Sequence, residues 1–204
     1  MNIVIKSFLL IFFAFALYGV IHSLLASRKA KEVAEIFMGQ SGFRWYRLAY
    51  NVFSFISLLP VLALAVILPD SPIYEVPFPW DIPLLLLQLA GVVFSIAASV
   101  QTGLGTLSGI TQLDKNYLAA EKDRLVTGGL YRYVRHPIYT GAILFLWTSP
   151  QLTWNGLALR AAFTLYFIIG GIVEEKKLVE EFGDEYRSYR MRTPMLIPWL
   201  KKSS

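Results

Sequence analysis

Three uninterrupted apolar runs, Ile3 to Leu25, Leu48 to Leu68 and Leu84 to Gln101, constrain this chain more than any other feature. Each is long enough, at about 1.5 Å of rise per residue, to cross the roughly 30 Å of a bilayer's hydrocarbon. Hydrocarbon offers the backbone no hydrogen-bond partners, so such runs must be helices. Two later runs, Ile138 to Thr148 and Asn155 to Val173, are less regular, the first ending near Pro150 and the second carrying Arg160 near its start. They predict a helical hairpin turning at Ser149-Pro150-Gln151, its short arm tilted or buried in protein. The expected fold is an all-α polytopic membrane bundle of about five transmembrane helices. It is read as one domain over 1–204, with three spans in 1–101 and a loop, hairpin and amphipathic helix in 102–204. The first run reads as a span and not a cleaved leader, because it is long and lacks a polar stretch before a small-residue cleavage site.

Composition agrees, with 55% hydrophobic and only 16% charged residues, well outside the soluble norm. The absence of cysteine excludes disulfides, thiolate metal sites, a Cys nucleophile and a prenylation box. With His22 and His136 as the only imidazoles, no metal is expected. The net charge of +5 comes from cations spread along juxtamembrane segments and mixed with acids. That pattern suits topology and contact with anionic membrane lipids, and nucleic acid is not an expected partner. Of the 19 Lys and Arg, all but Lys6 and Arg160 fall within 28–47, 115–135 or 176–202, whereas the loop from Pro69 to Pro83 has none. The positive-inside rule then predicts the N-terminus outside, the C-terminus inside and the polar motifs facing the cytoplasm.

Those motifs begin in Thr102 to Arg135, a stretch too polar to cross and too long for a tight turn, where a cofactor-binding loop would sit. Gly103-Leu104-Gly105 and Gly109 resemble a phosphate loop only superficially, since no strand precedes them, and they read as a flexible helix exit. In Asp123 to Tyr131 the paired Gly128 and Gly129 open backbone conformations closed to other residues. That segment either approaches a flat ring closely or simply turns toward the next helix. Arg135-His136-Pro137-Ile138-Tyr139-Thr140-Gly141 then sets a guanidinium, an imidazole and a phenol beside a proline that starts a helix. Polar groups are expensive near hydrocarbon and are kept there for binding or chemistry. The N–H groups of that helix start suit a carboxylate. Alone, His136 could cap a helix and Tyr139 could anchor an interface. A second cluster shifts the balance: Glu174-Glu175, then Leu178, Phe182, Tyr186 and Tyr189 at helical spacing. These predict one amphipathic helix along the membrane surface, an anchor or a lid.

In order and spacing the two clusters resemble the isoprenylcysteine carboxyl methyltransferase and phospholipid methyltransferase superfamily of integral membrane methyltransferases. The resemblance covers Asn116 to Trp199. It is carried by Leu125-Val126, Gly128 or Gly129, Tyr131, Arg135-His136-Pro137, Tyr139 and Gly141, then Glu174-Glu175, Leu178, Phe182-Gly183, Tyr186, Tyr189, Pro194 and Ile197-Pro198. It implies an enzyme that transfers a methyl group from S-adenosylmethionine to a lipophilic, membrane-soluble acceptor, with the cofactor in a cytosolic pocket between helices. Carried over residue by residue, Asp123, Arg124, Leu125, Val126, Tyr131, His136, Pro137, Ile138 and Tyr139 would surround the cofactor, with Asn116, Arg135, Gly141 and Glu175 in support. Glu174 would hold its amino group or ribose and Tyr186 would help close the site. His136, Tyr139 and Glu174 form the expected catalytic set. Methyl transfer is an in-line displacement, so alignment and exclusion of water suffice.

One departure matters. The carboxyl-methylating branch has an arginine about one turn before the Glu pair that meets the substrate carboxylate, and this chain has Gly170 there, beside Gly171. Arg160 lies nearly three turns earlier and cannot replace it. A lipid amine or a thiol is therefore expected over a carboxylate, with Gly170 and Gly171 leaving it room. His22-Ser23-Leu24-Leu25-Ala26-Ser27 resembles the branch that includes thiol methylation, and His22 either lines the acceptor's way in or caps a helix end. The alternatives are a non-enzymatic membrane component assisting a respiratory or transport complex, and a prenylcysteine-type carboxyl methyltransferase. A transporter is disfavoured, because no inverted repeat is visible.

Overall fold

The computed structural model describes residues 2–108, 110, 113 and 125–198, so Asn116, Asp123 and Arg124 of the expected cofactor set lie outside the described residues. The helices are α1 (Ile3–Leu25), α2 (Arg28–Phe43), α3 (Tyr46–Ile67), α4 (Asp81–Thr102), α5 (Leu104–Ser108), α6 (Pro137–Trp147), α7 (Trp154–Phe182) and α8 (Asp184–Arg192). A short helical turn occupies Gly129–Arg132, and β1 (Pro72–Glu75) pairs with β2 (Gln151–Thr153). Among the described residues the fold is all-α apart from that strand pair.

Among the described residues four helices, α1, α3, α4 and α7, have the length and apolar character to cross a bilayer, and the protein is an integral membrane protein. The fifth expected span is shorter than a crossing requires. With 11 residues, α6 rises about 16 Å, roughly half the hydrocarbon thickness. Pro137 sets its start, and the chain leaves helical geometry at Thr148. A second difference concerns the surface helix expected after the Glu pair. α7 instead runs unbroken for 29 residues through Glu174 and Glu175 to Phe182. The chain then turns at Gly183, whose φ of 56° lies in the left-handed region that glycine occupies without penalty. Leu178 and Phe182 thus belong to one helix, and Tyr186 and Tyr189 to the next.

The chain forms two compact units that interleave along the sequence. The first comprises Met1–Ile73, Leu104–Lys122 and Leu152–Phe163. Its core holds the buried Ile11 and Phe15, with the Phe15 ring centroid 4.3 Å from that of Phe163. Asn155, fully buried, donates to the carbonyls of Ala65 (3.3 Å) and Leu68 (3.1 Å). It thereby satisfies acceptors that the C-terminus of α3 would otherwise leave open. Asp70 Oδ1 in turn accepts from the Asn155 amide at 3.0 Å.

The second unit comprises Tyr74–Gly103, Asp123–Gln151 and Thr164–Ser204. Its spine is the pairing of α4 with α6, in which two glycines bring the backbones together. A Cβ on Gly91 would fall 2.7 Å from the Gly141 carbonyl oxygen, and one on Gly141 would fall 2.6 Å from that of Gly91. Small residues at a helix crossing allow this approach, which is how membrane helices gain dispersion contacts where no hydrophobic effect drives them together. Polar side chains reinforce it: Ser95 Oγ donates to the Ile138 carbonyl (3.0 Å) and Gln88 Nε2 to that of Phe145 (3.0 Å). Gly141, expected beside the cofactor, is placed in this helix contact. Gly141→Val should overpack the crossing by about 1–3 kcal/mol and lower the unfolding midpoint in detergent by a few degrees. An unchanged midpoint would mean that the two helices can part at no cost.

Candidate active site

The charged clasp and the row of rings at the start of α6 lie within the second unit. Arg135 and Glu175 are withdrawn from water together, their side chains 9% and 8% exposed. Arg135 Nε donates to Glu175 Oε1 at 2.6 Å, and Nη2 reaches the same oxygen at 2.6 Å. Nη1 donates to the carbonyls of Arg190 (3.1 Å) and Thr193. A buried pair tolerates desolvation only when its remaining hydrogen-bonding capacity is met in this way. The backbone continues the clasp: Arg135 N donates to Pro194 O (2.9 Å), His136 N to Met195 O (3.1 Å), and Thr140 Oγ1 to Leu196 O (2.7 Å). The start of α6 is thus tied to α7, α8 and the strap at 193–196.

Upon that clasp stands a row of rings. His136 and Tyr139 stack with centroids 5.3 Å apart and planes 4° from parallel, and Tyr139 stacks on Phe167 at 5.2 Å. Pro137 explains the spacing, because it opens the helix immediately after His136, leaving that residue at the N-cap without a side-chain capping bond. The His136 ring lies between two carboxylates, with Nδ1 3.6 Å from Glu174 Oε2 and Nε2 3.3 Å from Glu175 Oε1. The latter contact lies outside hydrogen-bond alignment, so this buried nitrogen has no hydrogen-bond partner among the described residues. Glu174 differs sharply from its neighbour. Its side chain is 48% exposed, and Oε2 accepts from Tyr139 Oη at 3.0 Å. One carboxylate therefore serves the fold, while the other is offered outward and held in place by a phenol.

Around this row the remaining expected residues fall into groups. Tyr131 Oη pairs with Thr102 Oγ1 (2.5 Å) and its carbonyl accepts from Tyr189 Oη (2.5 Å), anchoring the turn at Gly129–Arg132 to α4 and α8. Burial raises the Tyr131 and Tyr189 phenols above the ordinary tyrosine range. The Tyr186 phenol is raised for the same reason, with the Glu175 charge adding to the effect. Tyr186 is 1% exposed, and its hydroxyl has no hydrogen-bond partner among the described residues. It is packed into the unit and is not a surface lid. Leu125 and Val126 are partly exposed where the described chain resumes. Gly171 is filled, since a Cβ there would meet the Met195 methyl at 2.5 Å and the His136 ring at 3.5 Å. Gly170 is open, with nothing within 4 Å of its Cβ position.

His22 belongs to the first unit, where Nδ1 pairs with Ser54 Oγ (2.9 Å) and Nε2 with Tyr50 Oη (2.5 Å), bonding α1 to α3. Sequence reasoning missed Phe167, Gln101, Arg190 and the Met195 contact. Phe167 precedes Glu174 by two helical turns, so α7 read as a helix continuing through the Glu pair would have put it on the same face. Gln101, whose Oε1 accepts from Leu130 N at 3.0 Å, carries no comparable signal. Among the described residues no group of His, Asp and Glu is arranged to hold a metal ion.

The two acids should respond oppositely to replacement. Glu175→Ala leaves the buried Arg135 charge uncompensated, a loss of about 3–5 kcal/mol, visible as a collapse of the unfolding midpoint in detergent. Glu174→Gln keeps an acceptor for Tyr139 and should leave that midpoint within a degree or so, since surface changes of this kind cost about 0.5 kcal/mol or less. Equal effects would contradict the division of labour between them.

The phospholipid methyltransferase family profile matches residues 85–185. Methanethiol S-methyltransferase 1 of Bradyrhizobium diazoefficiens is 34% identical over 187 residues, covering 90% of this chain and 64% of that protein. Methanethiol S-methyltransferase of Pseudomonas deceptionensis is 42% identical over 74 residues, 36% of this chain and 28% of that protein. Protein-S-isoprenylcysteine O-methyltransferase of Schizosaccharomyces pombe is 39% identical over 79 residues, 36% of this chain and 33% of that protein. The chain thus spans at most 64% of the length of these curated relatives. No solved structure matches it. The matched stretch contains the row of rings, both carboxylates and Arg135 on an all-α membrane scaffold, and over it the chain is similar to the isoprenylcysteine carboxyl methyltransferase and phospholipid methyltransferase superfamily.

Proposed function

We propose that this protein transfers a methyl group from S-adenosylmethionine to a small, uncharged, membrane-soluble acceptor, with a thiol favoured. The observation that carries the reading is Glu174, a half-exposed carboxylate held by Tyr139 beside His136. A sulfonium amino acid joined to a nucleoside needs an anion for its ammonium, donors for its carboxylate and an aromatic wall. The residues present fit each need. Glu174 would take the ammonium, the uncapped N-terminus of α6 the carboxylate, and the rings of His136, Tyr139 and Phe167 the wall. When bound, the cofactor supplies an electrophilic methyl group. The protein's part is to orient the acceptor, keep water away and hold Glu174 and His136 in register. As the acceptor sulfur takes the methyl group, the methyl–sulfonium bond would break with its electron pair staying on the donor as a neutral thioether, and His136, beside Glu174, would accept the thiol proton.

Acceptor choice follows from charge. Arg135 is buried against Glu175, so its charge is already committed, and no Lys or Arg stands between Arg160 and Lys176 on α7. Gly170 leaves open space one turn before Glu174. That combination favours a neutral acceptor, in keeping with relatives named methanethiol S-methyltransferases. By the positive-inside rule the basic segments, and the site with them, face the cytoplasm, where the cofactor is found.

Isothermal titration of the purified protein with S-adenosylmethionine should show binding. Glu174→Ala should weaken it by about tenfold or more, the worth of one charge-assisted hydrogen bond. Labelled methyl groups should pass to methanethiol in preference to a prenylated cysteine carboxylate. Gly170→Leu should raise the KM for the thiol severalfold and leave cofactor affinity alone. Failure of the intact protein to bind the cofactor, or full affinity in Glu174→Ala, would sink the reading.

A further inference from the structure

α2 sits oddly in a membrane protein. Its first two turns carry Arg28, Lys29, Lys31, Glu32 and Glu35, far too much charge for a span, yet its other face is strongly apolar. Successive residues turn by about 100°, so Arg28, Lys31, Glu32 and Glu35 share one side. Ala30, Val33, Ala34 and Phe37 occupy the opposite side, with Ile36 and Met38 flanking them. Ala30 and Ala34 are half-buried. Val33, Ile36, Phe37 and Met38 instead stand 52%, 80%, 84% and 48% exposed, an apolar ridge uncovered among the described residues. An aromatic and an isoleucine so bare on a helix this polar are not stable neighbours of water.

The helices on either side say what covers the ridge. α1 and α3 meet where the chain leaves one and enters the other: Tyr46 Oη donates to Leu25 O (2.7 Å), Tyr18 Oη to Ser54 O (3.2 Å), and His22 bridges Ser54 and Tyr50. Both spans therefore emerge from the bilayer on the same side. α2 begins after only Ala26 and Ser27, with Ser27 Oγ capping its start through the Ala30 amide (3.2 Å); its helical geometry breaks at Gly39 (φ 64°), and the second piece ends at Phe43, just ahead of α3 at Tyr46. A charged helix joined to one span by two residues, and to the next through a short kinked piece, remains at the bilayer surface. The segment 28–47 sets Arg28, Lys29, Lys31, Arg44 and Arg47 against Glu32 and Glu35, a net positive charge.

From this we infer that α2 is an in-plane membrane helix. Its Val33, Ile36, Phe37 and Met38 ridge inserts at the boundary between headgroups and acyl chains of a leaflet rich in anionic lipid, and its charged face looks to water. The inference uses only the first unit and does not depend on the proposed methyl transfer.

The absence of native cysteine allows a clean test. A nitroxide is attached to Phe37→Cys, Ile36→Cys or Glu35→Cys in the full chain, reconstituted in nanodiscs of phosphatidylglycerol and phosphatidylcholine. Power saturation then reads accessibility to oxygen and to a water-soluble nickel chelate. Labels at 36 and 37 should be relaxed by oxygen and shielded from nickel, with the label at 35 showing the reverse. Replacing the phosphatidylglycerol with phosphatidylcholine should raise nickel access at 37 severalfold. Nickel access that is equal at all three positions, or insensitive to lipid charge, would overturn the proposal. So would dipolar broadening between labels at 37, which would put a second copy of the chain on the ridge.

Discussion

A carboxylate and a guanidinium withdrawn from water each lose several kcal/mol of hydration, by order of magnitude, and only near-complete hydrogen bonding makes their burial tolerable. Glu175 and Arg135 meet that condition by drawing other parts of the chain toward them. The guanidinium gathers the carbonyls of Arg190 and Thr193 while its Nε and Nη2 hold Glu175. Through this one arrangement, the start of α6, the late turns of α7, the end of α8 and the following strap become a single cluster. The placement of His136, and so of the rings stacked on it, is a consequence.

Neighbouring residues of one type thereby acquire opposite duties. Glu174 and Glu175 are adjacent on a helix, so they point about 100° apart. One meets the buried arginine and the other meets Tyr139 at the edge of the unit. The adjacent glycines Gly170 and Gly171 are divided by the same rotation. Gly171 accommodates Met195 and the His136 ring, and Gly170 faces open space. A stiff helix presenting alternately to the interior and to open space suits a site that must be preorganised on one side and accessible on the other.

The interpretation as a methyl-transferring protein rests on that contrast. A sulfonium donor asks for a fixed anion and aromatic surface, and an acceptor dissolved in lipid asks for an apolar approach without a committed counter-charge. The clasp commits Arg135 to Glu175, and in that reading the exposed carboxylate and the open glycine define what the site can receive.

Much of this was legible in the residues themselves. The spans follow from apolar runs too long for any alternative, and α1 matches its run from Ile3 to Leu25 residue for residue, because hydrocarbon leaves the backbone only the helix. Pro137 as a helix start and the pairing of His136 with the Glu pair were likewise visible, since proline's geometry is local and the motif spacing is linear. What the linear pattern could not decide was partnership. Glu174 and Glu175 are chemically identical in sequence, Gly141 reads equally well as cofactor neighbour or helix contact, and the continuation of α7 to Phe182 overrides the polar break expected at the Glu pair. In each case the outcome depends on which side of a helix meets another segment, and with what left over. Sequence determined that this chain lives in a membrane as helices with a polar motif at their ends. Tertiary packing alone decided which charges were buried as structure and which remained exposed, because desolvation is set by three-dimensional neighbours.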